Sequence, residues 1–373
     1  MVTILRPSSA DIWTNCPGQP ALVERLVPEQ PSSDAAMEGT CAAWLAEQCL
    51  TGAIEKCRDL VDTVCPENNW PIDHIMANHI QRYCDMITGR GGDIKAERRV
   101  HLNEFINGTP DAYATIVMKL PHVKMSHTTL YVDDLKYGYG IIKPTSKQVL
   151  IYAAAIAWAM YHQGHAPDLI QIGIYQPRGN TVDGIYRTRT VSFQELTDEA
   201  NQVIEDGKKC FDPDALCIPG RHCKHCPAAH VCGALTTELY DVYEMLQGRK
   251  NRVSSLQELS SDLIFLEKLE DMVKGLKTAK TAEANAHIDA GKNIPGWSRE
   301  PGRNGTRRFT KKPETIKAVT GIDPTSGKMV SVAELERMGA DPSALKFLSE
   351  QPKTKSKLVQ VTAEDIKRRM EGS

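Results

Sequence analysis

The order of hydrophobic and polar positions along the chain predicts alternating helices and strands. Apolar residues recur at helical spacing over residues 10–13, 35–49, 73–87, 147–161, 194–208 and 256–288. Shorter runs rich in β-branched and aromatic residues predict strands at 94–102, 109–118, 128–136, 169–176 and 185–193. The order of helix, strands, helix and strand favours an α/β (α+β) fold, in which a mixed β-sheet is flanked by helices.

The pattern changes in the last third of the chain. The long helical stretch 256–288 is followed by a segment rich in proline and glycine, 294–312, which predicts loops with short strands. Two short helices are predicted beyond it, at 332–337 and 362–371. We therefore predict two domains, with residues 1–235 holding the sheet and residues 236–373 forming a mainly helical C-terminal extension.

Composition narrows the class of protein. Of the 373 residues, 41% are apolar and 25% are charged, which is typical of a globular protein with a buried core. The formal net charge of −2 gives no overall basic field, so a nucleic-acid partner would have to be bound by local patches. We see no run of about 18 apolar residues and no secretory signal pattern at the start, and we expect no membrane partner and a cytoplasmic location. In that reducing compartment the eleven cysteines need a reason other than disulfides.

Two short stretches carry acidic and basic side chains suited to metal-assisted chemistry. Asp111 follows the Asn107-Gly108 turn, and Asp133, Asp134 and Lys136 end the strand that comes next. Successive strand side chains alternate faces, so Asp134 and Lys136 point the same way and Asp133 points opposite. If the two strands pair as a hairpin, Asp111 can lie beside Asp134. Two carboxylates and a lysine would then meet, which suits Mg²⁺ and a metal-activated water.

This pattern resembles the PD-(D/E)XK nuclease superfamily, in its RecB-like branch. Pro110-Asp111 and Asp134-Leu135-Lys136 match the signature, and Gln148 and Tyr152 match the Gln-x-x-x-Tyr motif of the following helix. The resemblance implies a restriction-endonuclease-like core in which Asp111 and Asp134 hold Mg²⁺ or Mn²⁺. It also implies that Lys136 assists the attacking water, while Gln148 and Tyr152 organise the site.

The first long helix departs from that branch. RecB-like nucleases often supply a metal-binding histidine here, but Ala43 and Trp44 stand where it is expected. Glu38 or Glu47 could replace it. The two are about half a turn out of phase on a helix, so both are not expected to reach one metal, and we favour Glu38.

Of the eleven cysteines, five are scattered, one stands alone near the start, and five crowd into one short stretch, namely Cys210, Cys217, Cys223, Cys226 and Cys232. Cys41, Cys49, Cys57, Cys65 and Cys84 are scattered through apolar or mixed stretches, and we interpret them as core residues. Cys223, Cys226 and Cys232 have the close spacing of a metal knuckle, and thiolates select zinc or iron–sulfur clusters. With Cys16 near the start, they resemble the iron–sulfur nucleases of the AddB type, which implies a [4Fe–4S] cluster tying the first helix to this segment. Cys217 with the same three residues would instead make a local Zn²⁺ site.

A basic run near the C-terminal end could contact DNA. It comprises Arg299, Arg303, Arg307, Arg308, Lys311 and Lys312, interleaved with glycines and Phe309. Local positive charge of this kind binds phosphates, and an aromatic ring can stack on an unpaired base. A solvated loop would have the same composition.

These resemblances predict a Mg²⁺- or Mn²⁺-dependent DNA nuclease. The start of the chain and the Ile294-Pro-Gly-Trp stretch also look like a phage-encoded family of this branch. That resemblance implies an exonuclease acting on DNA with free ends during recombination, replication or end processing in a bacterial host, with a single-strand annealing or binding protein as its partner. Two alternatives stay open. The chain could be a catalytically inactive DNA-binding or scaffold protein that keeps the fold and the cluster, or a zinc-stabilised structural protein.

Overall fold

The structure is a computed structural model of the chain. It describes residues 4–28, 32–119, 126–179, 181–247, 255–300, 307–309, 311, 313–324, 330–352 and 357–360. By the density of its contacts the chain divides into two compact units, Met1–Ala279 and Lys280–Ser373. No helix among the described residues is long and apolar enough to cross a membrane.

The predicted helices that lie among the described residues begin and end close to their predicted positions, and four further helices, at 19–26, 233–247, 313–320 and 342–348, were not predicted. The helices of the first unit are α1 (Ala10–Trp13), α2 (Gln19–Leu26), α3 (Asp34–Leu50), α4 (His74–Thr88), α5 (Lys147–His162), α6 (Phe193–Lys209) and α7 (Gly233–Gln247). Helix α8 (Leu256–Asp289) begins in the first unit, and α9 (Pro313–Thr320), α10 (Val332–Arg337) and α11 (Pro342–Leu348) belong to the second. Short 3₁₀ segments lie at Pro7–Ser9, Cys57–Leu60 and Arg221–His225. The helix predicted at 362–371 lies outside the described residues.

One mixed five-stranded sheet forms the centre of the first unit. Its strands are β1 (Asp93–Ala96), β4 (Ala112–Lys119), β5 (Ser126–Leu135), β6 (Leu169–Tyr175) and β7 (Tyr186–Val191), in that spatial order. Only β5 and β6 run parallel, and α5 makes the crossover between them. The predicted α/β fold with a mixed sheet flanked by helices is confirmed.

Helices cover both faces of the sheet and bury them in separate cores. On one face the fully buried middle of α5 packs with Leu130 and Val132 of β5 and with α6. On the other face α3 and α4 pack against Ala112 and Leu135. Since β5 is covered on both sides, alternate residues of this strand face two different interiors.

One predicted strand is interrupted. Residues 94–102 form two strands, β1 and the short β2 (Val100–His101), because the backbone of Glu97 adopts a positive φ of 47° between them. The predicted Asn107-Gly108 turn is also wrong, because these two residues form strand β3 (Asn107–Gly108), which pairs with β2. The sequence of this segment predicts one continuous strand. The bend at Glu97 could not be predicted, because residues other than glycine rarely adopt a positive φ.

The second unit has its own small core. Ile316, Val332, Leu335, Leu345 and Leu348 are buried together on α9, α10 and α11. Two two-stranded sheets complete it, in which β8 (Trp297–Glu300) pairs with β11 (Lys357–Gln360) and β9 (Arg308–Phe309) pairs with β10 (Ser349–Glu350). The division of the chain into two domains at residue 235 stays a prediction.

Candidate functional site

The β4–β5 hairpin brings the predicted carboxylates together. Ala112 is paired with Asp133, so Asp111, which immediately precedes β4, lies next to the end of β5. The backbone N–H of Leu135 donates a hydrogen bond of 2.6 Å to Asp111 Oδ2. The hairpin prediction is confirmed, and Asp111 is fixed against the strand that carries Asp134.

Lys136 links the strand to helix α5. Its Nζ lies 2.9 Å from Asp134 Oδ2 and donates a 2.9 Å hydrogen bond to Gln148 Oε1. Gln148 Nε2 in turn donates to Tyr152 Oη at 3.3 Å. The four side chains therefore form one chain of contacts from the sheet to the covering helix, in the order in which the motif places them.

Burial and mutual repulsion disfavour negative charge at this centre. Burial, and then the charge of Asp134, raises the pKa of Asp111 to about 7. Burial also raises the pKa of Asp134, whose Oδ2 atom makes no hydrogen bond of good geometry although it is buried. For Lys136, burial alone would lower the pKa, but Asp134 and Asp111 outweigh it and raise the pKa above its usual value. Lys136 is therefore charged near neutral pH.

Glu97 is a third carboxylate at this centre that the sequence pattern did not reveal. Its N–H donates to the carbonyl oxygen of Asp111 at 3.3 Å, and the charge of Asp111 acts on its carboxyl group. Burial, and then the charges of Asp111 and Glu47, raises the pKa of Glu97 to about 8. Burial and mutual repulsion therefore favour a proton or another cation at Glu97 and Asp111, and Glu97 has a backbone conformation whose strain is typical of functional positions. A divalent cation can take the place of that proton, so these residues fit Mg²⁺ or Mn²⁺.

Glu38 lies in a different set of contacts. Its carboxylate pairs with the Arg178 guanidinium at 2.5 Å, and Arg178 lies over the rings of Tyr137 and Tyr139. Among the described residues, no hydrogen bond or ion pair joins Glu38 to Asp111, Asp134 or Lys136. Of the two glutamates on α3, Glu47 is the one whose charge acts on Glu97. A metal-binding role for Glu38 remains a prediction that would require it to leave Arg178.

The raised carboxyl pKa values predict how the metal-free protein responds to pH. A carboxyl group with a raised folded-state pKa contributes stability that is full below its unfolded pKa and is lost as pH rises through the folded value. For Asp111 the loss accumulates between about pH 4 and about pH 7. With chelator present, we expect Asp111→Asn to gain in melting temperature relative to wild type as pH rises through this window. Added Mg²⁺ should stabilise the wild type and not the variant.

Thermal unfolding of both proteins at several pH values checks this expectation. The control is Asp93→Asn, because Asp93 is exposed and its ion pair with Lys95 is exposed as well. A melting-temperature difference between Asp111→Asn and wild type that is flat across the window would contradict it.

The predicted cysteine ligands also converge. Cys16, Cys217, Cys223, Cys226 and Cys232 line one small cavity between the start of the chain and the cysteine loop. Backbone N–H groups point at three of the sulfurs: Ile218 N–H to Cys16 Sγ at 3.3 Å, Gly220 N–H to Cys223 Sγ at 3.4 Å and Leu235 N–H to Cys232 Sγ at 3.5 Å. Burial, and then the charges of Cys223, Cys16 and Cys232, raises the pKa of Cys226 to about 12. Neighbouring thiolates with amide donors fit a bound cation or cluster, which removes their repulsion.

Helix α8 closes this cysteine site. Gly275 packs on the backbone of Cys223 so closely that a Cβ atom there would lie 2.1 Å from the Cys223 carbonyl oxygen. The ion pair between Lys224 and Asp271, at 2.7 Å, holds the same two segments together. The first part of α8 therefore completes the core around the cysteines, a role that its sequence did not indicate.

A second trio of cysteines lies elsewhere in the first unit. The sulfur atoms of Cys49, Cys57 and Cys84 all lie within 4.8 Å of one another, so this group could hold a metal ion. These residues are buried or half-buried, as predicted for core residues, but their meeting in space was not predicted. Their positions in the chain follow no ligand spacing, so the sequence held no signal for it.

The predicted basic run is only partly described. Arg307 is paired with Glu336, and Arg299 is paired with Asp289 at 2.7 Å. Lys311 lies over the ring of Phe347. The strand of Arg308 is described but its side chain is not, and Arg303 and Lys312 lie outside the described residues. Two of the arginines therefore already have carboxylate partners.

A cleft of about 740 Å³ has Tyr152, the last residue of the motif, in its lining, whereas Asp111, Asp134 and Lys136 do not line it. Its polar lining includes Arg6, Ser8, Gln19 and Arg99. Two arginines in an open cleft that meets the motif helix make it a candidate path for a nucleic-acid strand.

The fold and the site define a mixed α/β protein with a buried carboxylate–lysine centre and a cysteine-lined cavity. The chain belongs to the family described as proteins of unknown function, DUF2800, whose sequence model matches residues 3–367. Since the match spans both compact units, the family comprises the sheet-containing unit together with the C-terminal helices.

Proposed function

We propose that this protein is a Mg²⁺- or Mn²⁺-dependent deoxyribonuclease of the PD-(D/E)XK type, acting as an exonuclease on DNA ends. The observation that carries the proposal is the continuous set of contacts from Asp111 and Asp134 through Lys136 to Gln148 and Tyr152. A solvated strand with accidental Asp-x-Lys spacing would leave these groups exposed, whereas Asp134 is only 2% exposed. Buried charged groups with this arrangement are kept for chemistry more often than for stability.

Each residue has a defined role in phosphodiester hydrolysis. Asp111, Asp134 and Glu97 would hold the divalent ion, which when bound activates water and offsets charge on the phosphate. Lys136 is held by Asp134 and Gln148 and carries positive charge near neutral pH, so it stabilises the charge that develops on the reacting phosphate. A charged lysine has no free electron pair to accept a proton, so Lys136 is less suited to act as a general base. Gln148 fixes the lysine, and Tyr152 places this centre next to the cleft.

We propose that Cys16, Cys223, Cys226 and Cys232 hold a [4Fe–4S] cluster with a structural role. The cluster would join the first helix to the cysteine loop, since Cys16 and Ile218 are hydrogen-bonded although 202 positions separate them in the chain. The rival Zn²⁺ site keeps Cys217 in place of Cys16. Cys217 is close to both Cys16 and Cys232, so geometry places it within the same group.

Single alanine variants distinguish the two ligand sets. We expect Cys16→Ala to lose nearly all iron and acid-labile sulfide together with the brown colour, because a cluster with three thiolates is readily lost. Cys217→Ala should keep both. Iron and sulfide analysis of anaerobically purified proteins makes the comparison. Full iron in Cys16→Ala would overturn this ligand set, and zinc in place of iron, lost in Cys217→Ala, would establish the rival.

Arg6 and Arg99 are proposed to contact DNA phosphates in the cleft. Replacing both by alanine should weaken DNA binding and reduce the slope of log K against log salt by about 1 for each arginine that no longer neutralises a phosphate. Fluorescence anisotropy with Ca²⁺ in place of Mg²⁺ measures the slope without cleavage. Arg221→Ala is the matched control, because this exposed arginine pairs with Glu267 and does not line the cleft. Equal slopes for the double variant and the control would exclude the cleft as the binding surface.

The function is tested by digestion of end-labelled linear DNA with anaerobically purified protein. Covalently closed circular DNA of the same sequence serves as the second substrate. We expect degradation of the linear form alone, dependent on Mg²⁺ or Mn²⁺ and abolished by chelator. Cleavage of the circle would indicate an endonuclease. With an intact cluster and no digestion of either substrate, the deoxyribonuclease proposal fails.

A catalytically inactive DNA-binding protein is the second candidate. The observations that favour it lie on α3, where Ala43 and Trp44 stand in place of a histidine and Glu38 is engaged by Arg178. DNA binding through the cleft without cleavage in any metal would identify this function. In either role, a single-strand annealing or binding protein is the expected partner in phage DNA recombination.

A further inference from the structure

Three cysteines form a compact group away from both sites described above. Cys49 lies in the last turn of α3, Cys57 begins the 3₁₀ segment 57–60, and Cys84 lies in α4. Their sulfur atoms all lie within 4.8 Å of one another. Cys57 is fully buried, and the Cys84 thiol donates a weak hydrogen bond of 3.8 Å to the Ala46 carbonyl oxygen of α3. Three separate chain segments therefore aim thiols at one point.

The separation of the sulfurs suits one ion better than a disulfide. Zinc–sulfur bonds of about 2.3 Å in a tetrahedral site place thiolates about 3.8 Å apart. The three sulfurs, all within 4.8 Å of one another, lie at most about 1 Å farther apart than that geometry requires. A disulfide would bring two sulfurs to about 2.05 Å and leave the third buried thiol alone. A polynuclear cluster spreads its thiolate ligands more widely than one ion does.

Side chains around the three cysteines make hydrogen bonds of the kind that orient metal ligands. Gln81 Oε1 accepts a 2.9 Å hydrogen bond from the N–H of Cys57, and Gln81 Nε2 donates to Asp85 Oδ1 at 2.9 Å. The same Nε2 group lies 4.0 Å from Cys49 Sγ. Gln81 therefore contacts two of the cysteines and also the Asp85 carboxylate. The charge of Asp85 acts on both Cys49 and Cys57. Such outer partners are typical of metal ligands.

We propose that Cys49, Cys57 and Cys84 bind one Zn²⁺ ion, with Asp85 or water completing a tetrahedral site. Binding converts three thiols into thiolates and releases three protons, with no change of oxidation state. The ion would tie α3, the 3₁₀ segment 57–60 and α4 together. Helix α4 lies against the sheet, where Tyr83 donates to the Asp133 carbonyl oxygen at 3.1 Å. The zinc site therefore has a structural role and is independent of the proposed nuclease activity.

Metal analysis of the full-length protein and its cysteine variants tests this proposal. We expect the wild type to contain about one zinc per chain besides any iron, and Cys57→Ala to lose it. Cys49→Ala is the second variant, because Cys49 is only half-buried and its loss disturbs packing least. Cys65→Ala is the matched control, since Cys65 is fully buried in the same core but is not in the trio. Cys223→Ala should also keep this zinc while losing iron.

Cobalt reconstitution gives an independent readout. Co²⁺ added to the reduced, metal-free Cys223→Ala protein should give the visible absorption of tetrahedral thiolate coordination, and Cys49→Ala should reduce it by most of its intensity. Zinc in Cys57→Ala and Cys49→Ala equal to that of wild type would overturn the proposal. So would a wild type without zinc in which thiol titration shows two of the three cysteines oxidised, because that result identifies a disulfide.

Discussion

Replacing Asp134 by asparagine is expected to lower the rate of DNA cleavage by about 10²- to 10⁴-fold, the range found when catalytic groups of this kind are removed. The amide keeps the shape of the side chain but removes the negative charge that would hold a divalent ion next to Asp111. It also removes the ionic partner of Lys136, whose Nζ lies 2.9 Å from Asp134 Oδ2. Excess Mn²⁺ should restore part of the rate if the loss is one of metal affinity.

The same substitution should leave stability within about 1 kcal/mol of wild type, because the charge of Asp111 still acts on Lys136 after Asp134 is replaced. Lys136 is 26% exposed and keeps its hydrogen bond to Gln148, while a carboxylate disfavoured by burial is removed. Single-turnover digestion of end-labelled DNA and thermal unfolding are measured on the same preparations. Asp93→Asn serves as the control for both. A variant that cleaves at the wild-type rate in limiting Mg²⁺ would remove Asp134 from the active site.

Much of this centre follows from local rules of the sequence. The alternation of strand side chains separates Asp133 from Asp134 and Lys136, and the structure places them on the predicted faces. Helical spacing places Gln148 and Tyr152 one turn apart on α5, where they contact each other. These positions could be predicted because each depends on geometry within one element or one hairpin.

The parts that escaped prediction depend on contacts between distant segments. Glu97 faces Asp111 because the backbone bends between β1 and β2, and its sequence context resembles an ordinary strand. Gly275 packs on Cys223 from a long helix with no ligand pattern. The trio of Cys49, Cys57 and Cys84 assembles only when α3 and α4 pack. No sequence period or motif predicts contacts between residues so far apart in the chain, so these contacts can be identified only from the tertiary structure.

Substitution of Asp133, the neighbour of Asp134, is expected to lower the stability of the protein, unlike substitution of Asp134. Its side chain is 1% exposed and pairs with Arg90, whose Nη1 lies 2.5 Å from Asp133 Oδ2. Tyr186 Oη donates to Asp133 Oδ1 at 2.7 Å, and Arg90 Nη2 donates to Tyr186 Oη at the same distance. The absence of a side chain at Gly173 makes room, because a Cβ atom there would lie 2.4 Å from Asp133 Oδ1.

Asp133→Asn should therefore destabilise the protein by about 3–5 kcal/mol, the usual cost of removing one partner from a buried ion pair. Arg90, whose side chain is 15% exposed, would be left with its charge facing an amide. Asp93→Asn, which breaks the exposed pair with Lys95, should cost less than about 1 kcal/mol. Urea unfolding of the two variants and of Asp134→Asn compares three identical chemical changes in different surroundings. Equal losses for Asp133→Asn and Asp93→Asn would contradict the buried-pair interpretation.

A double-mutant cycle separates the ion pair from the packing around it. Arg90→Met removes the charge that Asp133→Asn leaves unpaired, so the double variant should be less destabilised than the sum of the two single variants, by about 1–3 kcal/mol. If the losses simply add, the Asp133 carboxylate acts through Tyr186 and the strand packing and not through Arg90. With coupling, two adjacent aspartates of one strand have separate tasks, Asp133 holding the fold on one face and Asp134 serving the proposed chemistry on the other.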